Sequence, residues 1–361
     1  MLTAAVFVLI LMSAVLVHEF AHYFNARMVG LPVRAFSVGM GPVLWRKRWR
    51  GTEWRLSLLP IGGYVDIPGM AAAEDESGAL QHPSEGFATK SLPQKLWVLV
   101  GGVLANFALA VALLAAVLVN DPLTRAGVLD LELPTVTEIA SVSAGSEAEA
   151  LGLQPGDRIL AINELENPSV QEVIATIGSA EGLALRVERA GETLLLARDW
   201  PPPGVETPLL GVSIGQVPLS LPPPPSWPQA VAESSSFFVR FVPEAVGGFV
   251  RGFGAALTGQ RSQDVAGPVQ LVGITSQAAQ AGIIPVLFLA ALINFSLAVF
   301  NLLPIPGLDG GRMLLASIVA LRGRPFKPGQ EEFIHFLGFM AILAFIVLIT
   351  FNEVSGLFRP G

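Results

Sequence analysis

The sequence predicts an α-helical polytopic membrane protein with about four transmembrane helices and one small soluble α+β module inserted between the second and the third. Three observations carry that expectation. Of the 361 residues 52% are hydrophobic and 14% are charged, where an ordinary soluble domain carries about 25% charged residues. The mean hydropathy is +0.59, and four apolar stretches are long enough to cross a hydrocarbon core of about 30 Å. Between the second and third stretches, over 135–200, charged residues, helix caps and alternating strands replace the apolar runs. The chain has no cysteine, so disulfides and thiolate metal sites are excluded.

The first stretch, residues 1–30, is uncharged from Met1 to Val17 and stops at Gly30-Leu31-Pro32, a helix-ending sequence. No basic residue precedes the run and Arg27 follows it, so a cleavable signal peptide is not expected. Near its end lies His18-Glu19-Phe20-Ala21-His22. Two histidines four apart on a helix point the same way one turn apart, so they can share one metal ion with Glu19 beside it, as in zinc hydrolases. In a membrane helix each ionisable side chain costs on the order of 3 kcal/mol near the bilayer centre. A dication that takes two neutral imidazoles beside a carboxylate offsets that cost, and isolated charges do not.

Residues 31–95 are basic, with Arg34, Arg46, Lys47, Arg48, Arg50, Arg55, Lys90 and Lys95, whereas 120–282 is rich in Asp and Glu. Positive-inside logic places the first region in the cytoplasm and the second outside. Trp54, Leu56 and Leu58 fall on one face of an extended segment, which suggests a hairpin with Arg46 to Thr52 as its polar turn, or a cytoplasmic loop with some sheet. Residues 70–92, with His82, read as a loose linker. The second stretch, 96–119, contains Gly102 and Asn106: a small residue lets helices approach closely, and a lone Asn in lipid needs a partner. An interhelical hydrogen bond and a part in a site both fit Asn106.

Over 135–200, Ser146 with Glu149 and Ser169 with Glu172 read as capping boxes of two short helices. Strands follow at Arg158–Ile162, Leu183–Glu188 and Thr193–Arg198, the last two joined by a turn at Ala190-Gly191. This order, and the stretch from Ala148 to Asn163 with Gly152-Leu153 and Pro155-Gly156-Asp157, resemble a PDZ domain of the HtrA-like type. Such a domain captures an extended peptide or chain end by strand addition; a size filter without a peptide ligand is the other reading. The module has no His or Cys, so it is expected to govern access and not to catalyse. Residues 201–282 form a Pro-rich connector with a strand-like piece at Leu209–Ile214 and a Phe- and Gly-rich stretch, Phe237 to Leu257, that lies on the membrane surface.

The third stretch, 283–311, closes with Asn301-Leu302-Leu303-Pro304-Ile305-Pro306-Gly307-Leu308-Asp309-Gly310-Gly311. The prolines forbid a continuing helix, and irregular backbone at membrane depth survives where protein or a wet cavity covers it. Asp309 is thereby placed beside a buried polar site. A catalytic zinc takes three protein ligands and keeps a fourth position for water, and His18, His22 and Asp309 make that count. Residues 312–332, with Arg312, Arg322, Arg324 and Lys327, read as a second cytoplasmic loop, and 333–351 as a simple span. Both termini are then extracytoplasmic. His335 is expected at the interface and not as a ligand.

The two motifs, HExxH in the first apolar segment and NxxPxPxLDG after a late one, resemble those of the site-2 protease family of intramembrane zinc metalloproteases, in particular its RseP-like bacterial branch. The resemblance spans most of the chain. It implies a Zn²⁺ cofactor, Glu19 as the general base, and a re-entrant β-element at 36–69 in which Gly62-Gly63-Tyr64-Val65 resembles the family's signature. Gly102 to Asn106 resembles its GxxxN element, and Gly267-Pro268-Val269 resembles a loop of unassigned role. Gly63, Tyr64, Asn106 and Asn301 become candidate substrate contacts. Ser296 stands where the branch often has Asn, with Asn294 two residues earlier. The implied partners are single-span membrane protein substrates in the lipid bilayer of the bacterial inner membrane, with the zinc site toward the cytoplasm, the PDZ domain outside, and no nucleic acid. An inert PDZ scaffold and a zinc transporter or sensor are the rival functions.

Overall fold

The computed structural model describes residues 2–70, 73–74, 80–81, 85–203, 209–260 and 265–357; His82 lies outside them. Leu2–Met28 has neither proline nor glycine and forms one helix, α1, which ends before Gly30 at φ 73°. Two long antiparallel strands follow, β1 (Ala35–Trp49) and β2 (Thr52–Asp66). They are joined by Arg50-Gly51 with φ of 50° and 82°, the two-residue turn whose twist matches paired strands. The turn is shorter than the Arg46 to Thr52 stretch expected from polarity, because Arg46, Lys47 and Arg48 sit in strand register opposite Arg55, Trp54 and Glu53. At the base of the hairpin Ala35–Val38 pairs on both sides, with Glu53–Leu56 and with Gly63–Asp66, and among the described residues Gly63–Asp66 is paired on that one side. Short strands β3 (Ala73–Glu74) and β4 (Leu80–Gln81) pair with each other. Then α2 (Leu92–Asn120) starts on a capping box of Ser91 and Gln94.

Residues 122–223 form a compact unit of their own, reaching past the 135–200 limits drawn from sequence. It begins with α3 (Pro122–Val128). β5 (Thr135–Val142), α4 (Glu147–Leu151), β6 (Arg158–Ile162), β7 (Leu165–Glu166), α5 (Val170–Ser179), β8 (Leu183–Arg189), β9 (Glu192–Arg198) and β10 (Val212–Pro218) follow. The sheet order is β10-β5-β6-β8-β9, with β7 beside β6. β10 completes the sheet because Val212 to Pro218 pairs antiparallel with Val142 to Thr135, so the strand-like piece belongs to the module and not to a connector. The core is Ile139, Ile159, Ile162, Val173, Leu185 and Val187 with Trp200. Ser169 and Glu172 make the full capping box. At α4 only half forms: Ser146 caps the Glu149 N–H, while the Glu149 carboxylate takes the Gly145 N–H. Asp157 is fully buried and accepts from Arg189 through both oxygens at 2.7 Å.

The chain then returns to the first unit with α6 (Trp227–Leu257), α7 (Pro268–Ala281), α8 (Ile283–Leu302), α9 (Asp309–Arg322) and α10 (Gln330–Leu357). Among the described residues α1, α2, α8 and α10 are the helices long and apolar enough to cross a membrane. α2 is the hub, packing on α1, α6, α8 and α9. Ile10, Ala278, Leu289 and Ala290 join α1, α7 and α8 in one apolar cluster, and Phe238 of α6 stacks on Phe295 of α8 at 4.6 Å. Residues 312–322, expected as loop, are helical: Leu315 is buried, and left-handed Gly323 ends α9. Pro304 ends α8, and the segment from Leu303 to Leu308 carries the chain into Asp309.

Candidate active site

The 3.6-residue period of α1 brings the His18 and His22 rings together, with centroids 4.7 Å apart and Nε2 atoms 3.1 Å apart. From the far end of the chain Asp309, at the first turn of α9, places Oδ2 at 3.1 Å from His18 Nε2 and 3.2 Å from His22 Nε2. The three atoms make a nearly equilateral triangle. A tetrahedral zinc with bonds of about 2.0–2.1 Å keeps its ligand atoms about 3.3–3.4 Å apart, so the triangle fits a shared ion to within a few tenths of an ångström. His22 Nδ1 lies 2.9 Å from the carbonyl oxygen of Val98. A carbonyl can only accept, so Nδ1 carries the proton and Nε2 presents a lone pair to the centre. That is the tautomer a metal requires, fixed by the second nitrogen. Lone pairs and a carboxylate converging at this distance repel without a cation, and His18, His22 and Asp309 could hold one.

The ring of His18 is positioned by packing. Its Nδ1 is buried without a hydrogen-bond partner, and it lies against Gly102 of α2, where a Cβ would stand 2.6 Å from both ring nitrogens. Close approach of α1 and α2 is locked two turns further along α1, where Asn25 Nδ2 donates to the Trp97 carbonyl at 2.8 Å. Glu19 sits on the side of α1 that meets the edge segment of β2. A Cβ on Gly63 would lie 3.6 Å from Glu19 Cγ, and Val65 lines the same cavity as Glu19. A cavity of ≈ 380 Å³ opens here, lined by His18, Glu19, His22 and Asp309, by Tyr64 to Ile67, and by Asn301, Gly307, Leu308 and Arg312.

Of the residues singled out from sequence, His18, Glu19, His22, Tyr64, Asn301 and Asp309 thus line one cavity, and Gly63 touches Glu19 behind its wall. Asn106 does not line it. It lies one helical turn beyond Gly102, almost fully buried, with its Oδ1 unpartnered. Asn294 and Ser296 do not line it either; Asn294 is buried and donates to the Ala290 carbonyl within α8. Arg312 is a cavity residue that the sequence reading passed over, although it directly follows the Asp309 motif.

Apolar helices of spanning length that bring two imidazoles, one carboxylate and a neighbouring glutamate into one cavity define a membrane-embedded metallohydrolase. Comparison with known proteins makes the class specific. Residues 6–345 match the model of peptidase family M50. A protein of Agrobacterium fabrum whose name assigns it provisionally to the zinc metalloproteases is 33% identical over 379 residues, covering 97% of this chain and 95% of that protein. The zinc metalloprotease RasP of Shouchella clausii is 28% identical over 436 residues, 99% of both chains. The chain belongs to peptidase family M50, the site-2 proteases, and is an intramembrane zinc metalloprotease.

Proposed function

We propose that this protein is an RseP-like site-2 protease that cuts single-span membrane proteins within or beside their membrane segments, with His18, His22 and Asp309 as zinc ligands and Glu19 as general base. The observation that carries this reading is the triangle of Nε2, Nε2 and Oδ2 atoms with Glu19 and an open strand edge around the same cavity. Held by His18, His22 and Asp309, zinc would supply a water of near-neutral pKa and a Lewis acid for the scissile carbonyl. The Glu19 carboxylate would accept a proton from the attacking water and return it to the leaving amine. Asn301, which lines the same cavity, holds the substrate main chain or the developing oxyanion.

A transmembrane helix conceals its own carbonyls, so the substrate unwinds before it is cut. The Gly63–Asp66 segment, paired on one side and lining the cavity through Tyr64 and Val65, supports strand addition as the way the unwound segment is held. Asn106, almost fully buried and off the cavity, is not among the proposed contacts. The charge pattern supports a bacterial inner-membrane topology with the zinc site toward the cytoplasm and residues 122–223 outside. The strand and helix order of that unit supports a PDZ domain, which captures a substrate chain end or excludes substrates with bulky outer domains. Anti-sigma factors already trimmed outside and signal-peptide remnants are the expected substrate classes.

The test is a set of three variants assayed on a single-span substrate and for zinc content. Glu19→Gln keeps one zinc per chain and loses cleavage, by a factor of about 10²–10⁴ for loss of a general base. His22→Ala and Asp309→Ala lose the metal. Near-normal cleavage by Glu19→Gln removes that residue from the mechanism, and zinc retained in either ligand variant breaks the assignment. Zinc without cleavage in the unaltered chain leaves the scaffold or transporter instead.

A further inference from the structure

The segment that delivers Asp309 is held from outside by the last helix. Between Leu303 and Leu308 the backbone has few donors. Pro304 and Pro306 have no N–H, Ile305 closes a turn on the Leu303 carbonyl at 2.7 Å, and Leu308 closes one on Ile305 at 3.1 Å. The Gly307 N–H points away from these turns and donates to Nδ1 of His335 on α10, at 2.9 Å. Gly307 has φ 96° and itself lines the cavity, two residues before Asp309. Among the described residues this bond is the one that ties the Gly307 backbone to α10.

The contact is close on both sides. One turn along α10 from His335, Gly338 lies against the Pro306 carbonyl, which occupies the space a Cβ would need, and a Cβ on Gly307 would meet the Phe339 backbone nitrogen at 3.0 Å. The imidazole is enclosed, its side chain 16% exposed, with Nε2 buried 4.0 Å from Glu331 and making no hydrogen bond of its own among the described residues, so the ring's one hydrogen bond is the one to Gly307. Because Nδ1 accepts, the ring's proton is on Nε2.

We propose that His335 is a positioning residue for Asp309: its Nδ1 pins the turn at Pro306–Leu308, and that fixes where the carboxylate two residues later meets His18 and His22. This rests on the ligand assignment above. Partners that orient a metal ligand in this way typically contribute about 10–100-fold in metal affinity or activity.

The experiment uses the full chain, purified in detergent, with zinc retention measured against a competing chelator alongside kcat and KM on a single-span substrate. His335→Leu keeps the volume and removes the acceptor, and is expected to lose zinc about tenfold more readily and to lower kcat with KM little changed. His335→Asn offers an oxygen near the position of Nδ1 and is expected to restore both readings to within a few-fold of the unaltered chain. Zinc retention and kcat in the leucine variant equal to those of the unaltered chain overturn the proposal. So does an asparagine variant as impaired as leucine, since that would make His335 a packing residue. If the leucine variant fails to insert, His335→Ala is read against His335→Asn by the same criteria. A wild-type chain that holds no zinc sinks the ligand assignment instead.

Discussion

A metal ligand is only as well placed as whatever orients its ring, and the two histidines of this site are oriented by different means. His22 is held by a hydrogen bond to the Val98 carbonyl, whereas His18 leans on a helix surface that has no side chain at Gly102. Adding one methyl group there puts carbon 2.6 Å from two ring nitrogens, and overpacking of this kind costs about 1–3 kcal/mol. Gly102→Ala is therefore expected to lower zinc affinity and cleavage by about 10–100-fold, while Leu104→Ala, on the exposed side of α2, changes neither by more than a few-fold. Zinc titration of the two purified variants decides it, and an alanine variant that binds zinc normally removes Gly102 from the site. That His18, Glu19, His22 and Asp309 line one cavity was legible in the sequence because the histidine spacing matches a helical period and the prolines end α8 just before Asp309 opens α9. Gly102 was visible only as a small residue in an apolar run, and which ring it faces depends on the α1–α2 register. His335 was invisible as a site residue because its partner is a backbone N–H 28 positions away, and a main-chain donor leaves no mark in a sequence.

Among the elements, hydropathy found the four spans and alternation found the hairpin, since both signals live inside one segment. α7 and α9 escaped because they are short and mix small and polar residues; their helicity comes from packing against neighbours more than from pattern. β10 escaped because a strand's sheet is set by its partner, and β5 lies some 70 residues earlier in the chain. The module in which β10 pairs has its own internal latch. Burial alone raises the pKa of the Asp157 carboxyl, but the Arg189 guanidinium and the Gln154 N–H outweigh it and hold the group below the usual range. A carboxyl depressed in the fold contributes stability above its unfolded pKa of about 3.9, and that contribution is lost as pH falls through the lower folded value. Asp157→Asn should accordingly raise amide exchange in β6 and β8 at pH 7, corresponding to about 1.5–3 kcal/mol for losing a charge-assisted hydrogen bond to the buried carboxylate. The gap to the unaltered chain should narrow below about pH 4. A gap that stays constant from pH 7 to pH 3 would show that the latch acts by shape alone.

At the scale of the whole chain the distribution of charge makes a topological prediction. Reporters inserted at Gly51, in the two-residue turn of the hairpin, and at Gly323, after α9, are expected to read cytoplasm, and one at Gly191, in the β8–β9 turn, the outside. A reporter at Gly51 that reads outside inverts the orientation. The candidate ligands also lie far apart in the order in which the chain is made. His22 and Asp309 are separated by 287 positions, and His335, which holds the turn before Asp309, comes later still. At a synthesis rate of roughly 5–20 residues per second, the first helix waits about 15 seconds to a minute for its carboxylate. During that interval the histidines are in the bilayer while the third ligand has yet to be translated. On the proposed ligand assignment the zinc site cannot close before α9 has been made, and the turn that His335 holds cannot be pinned before α10 has been made.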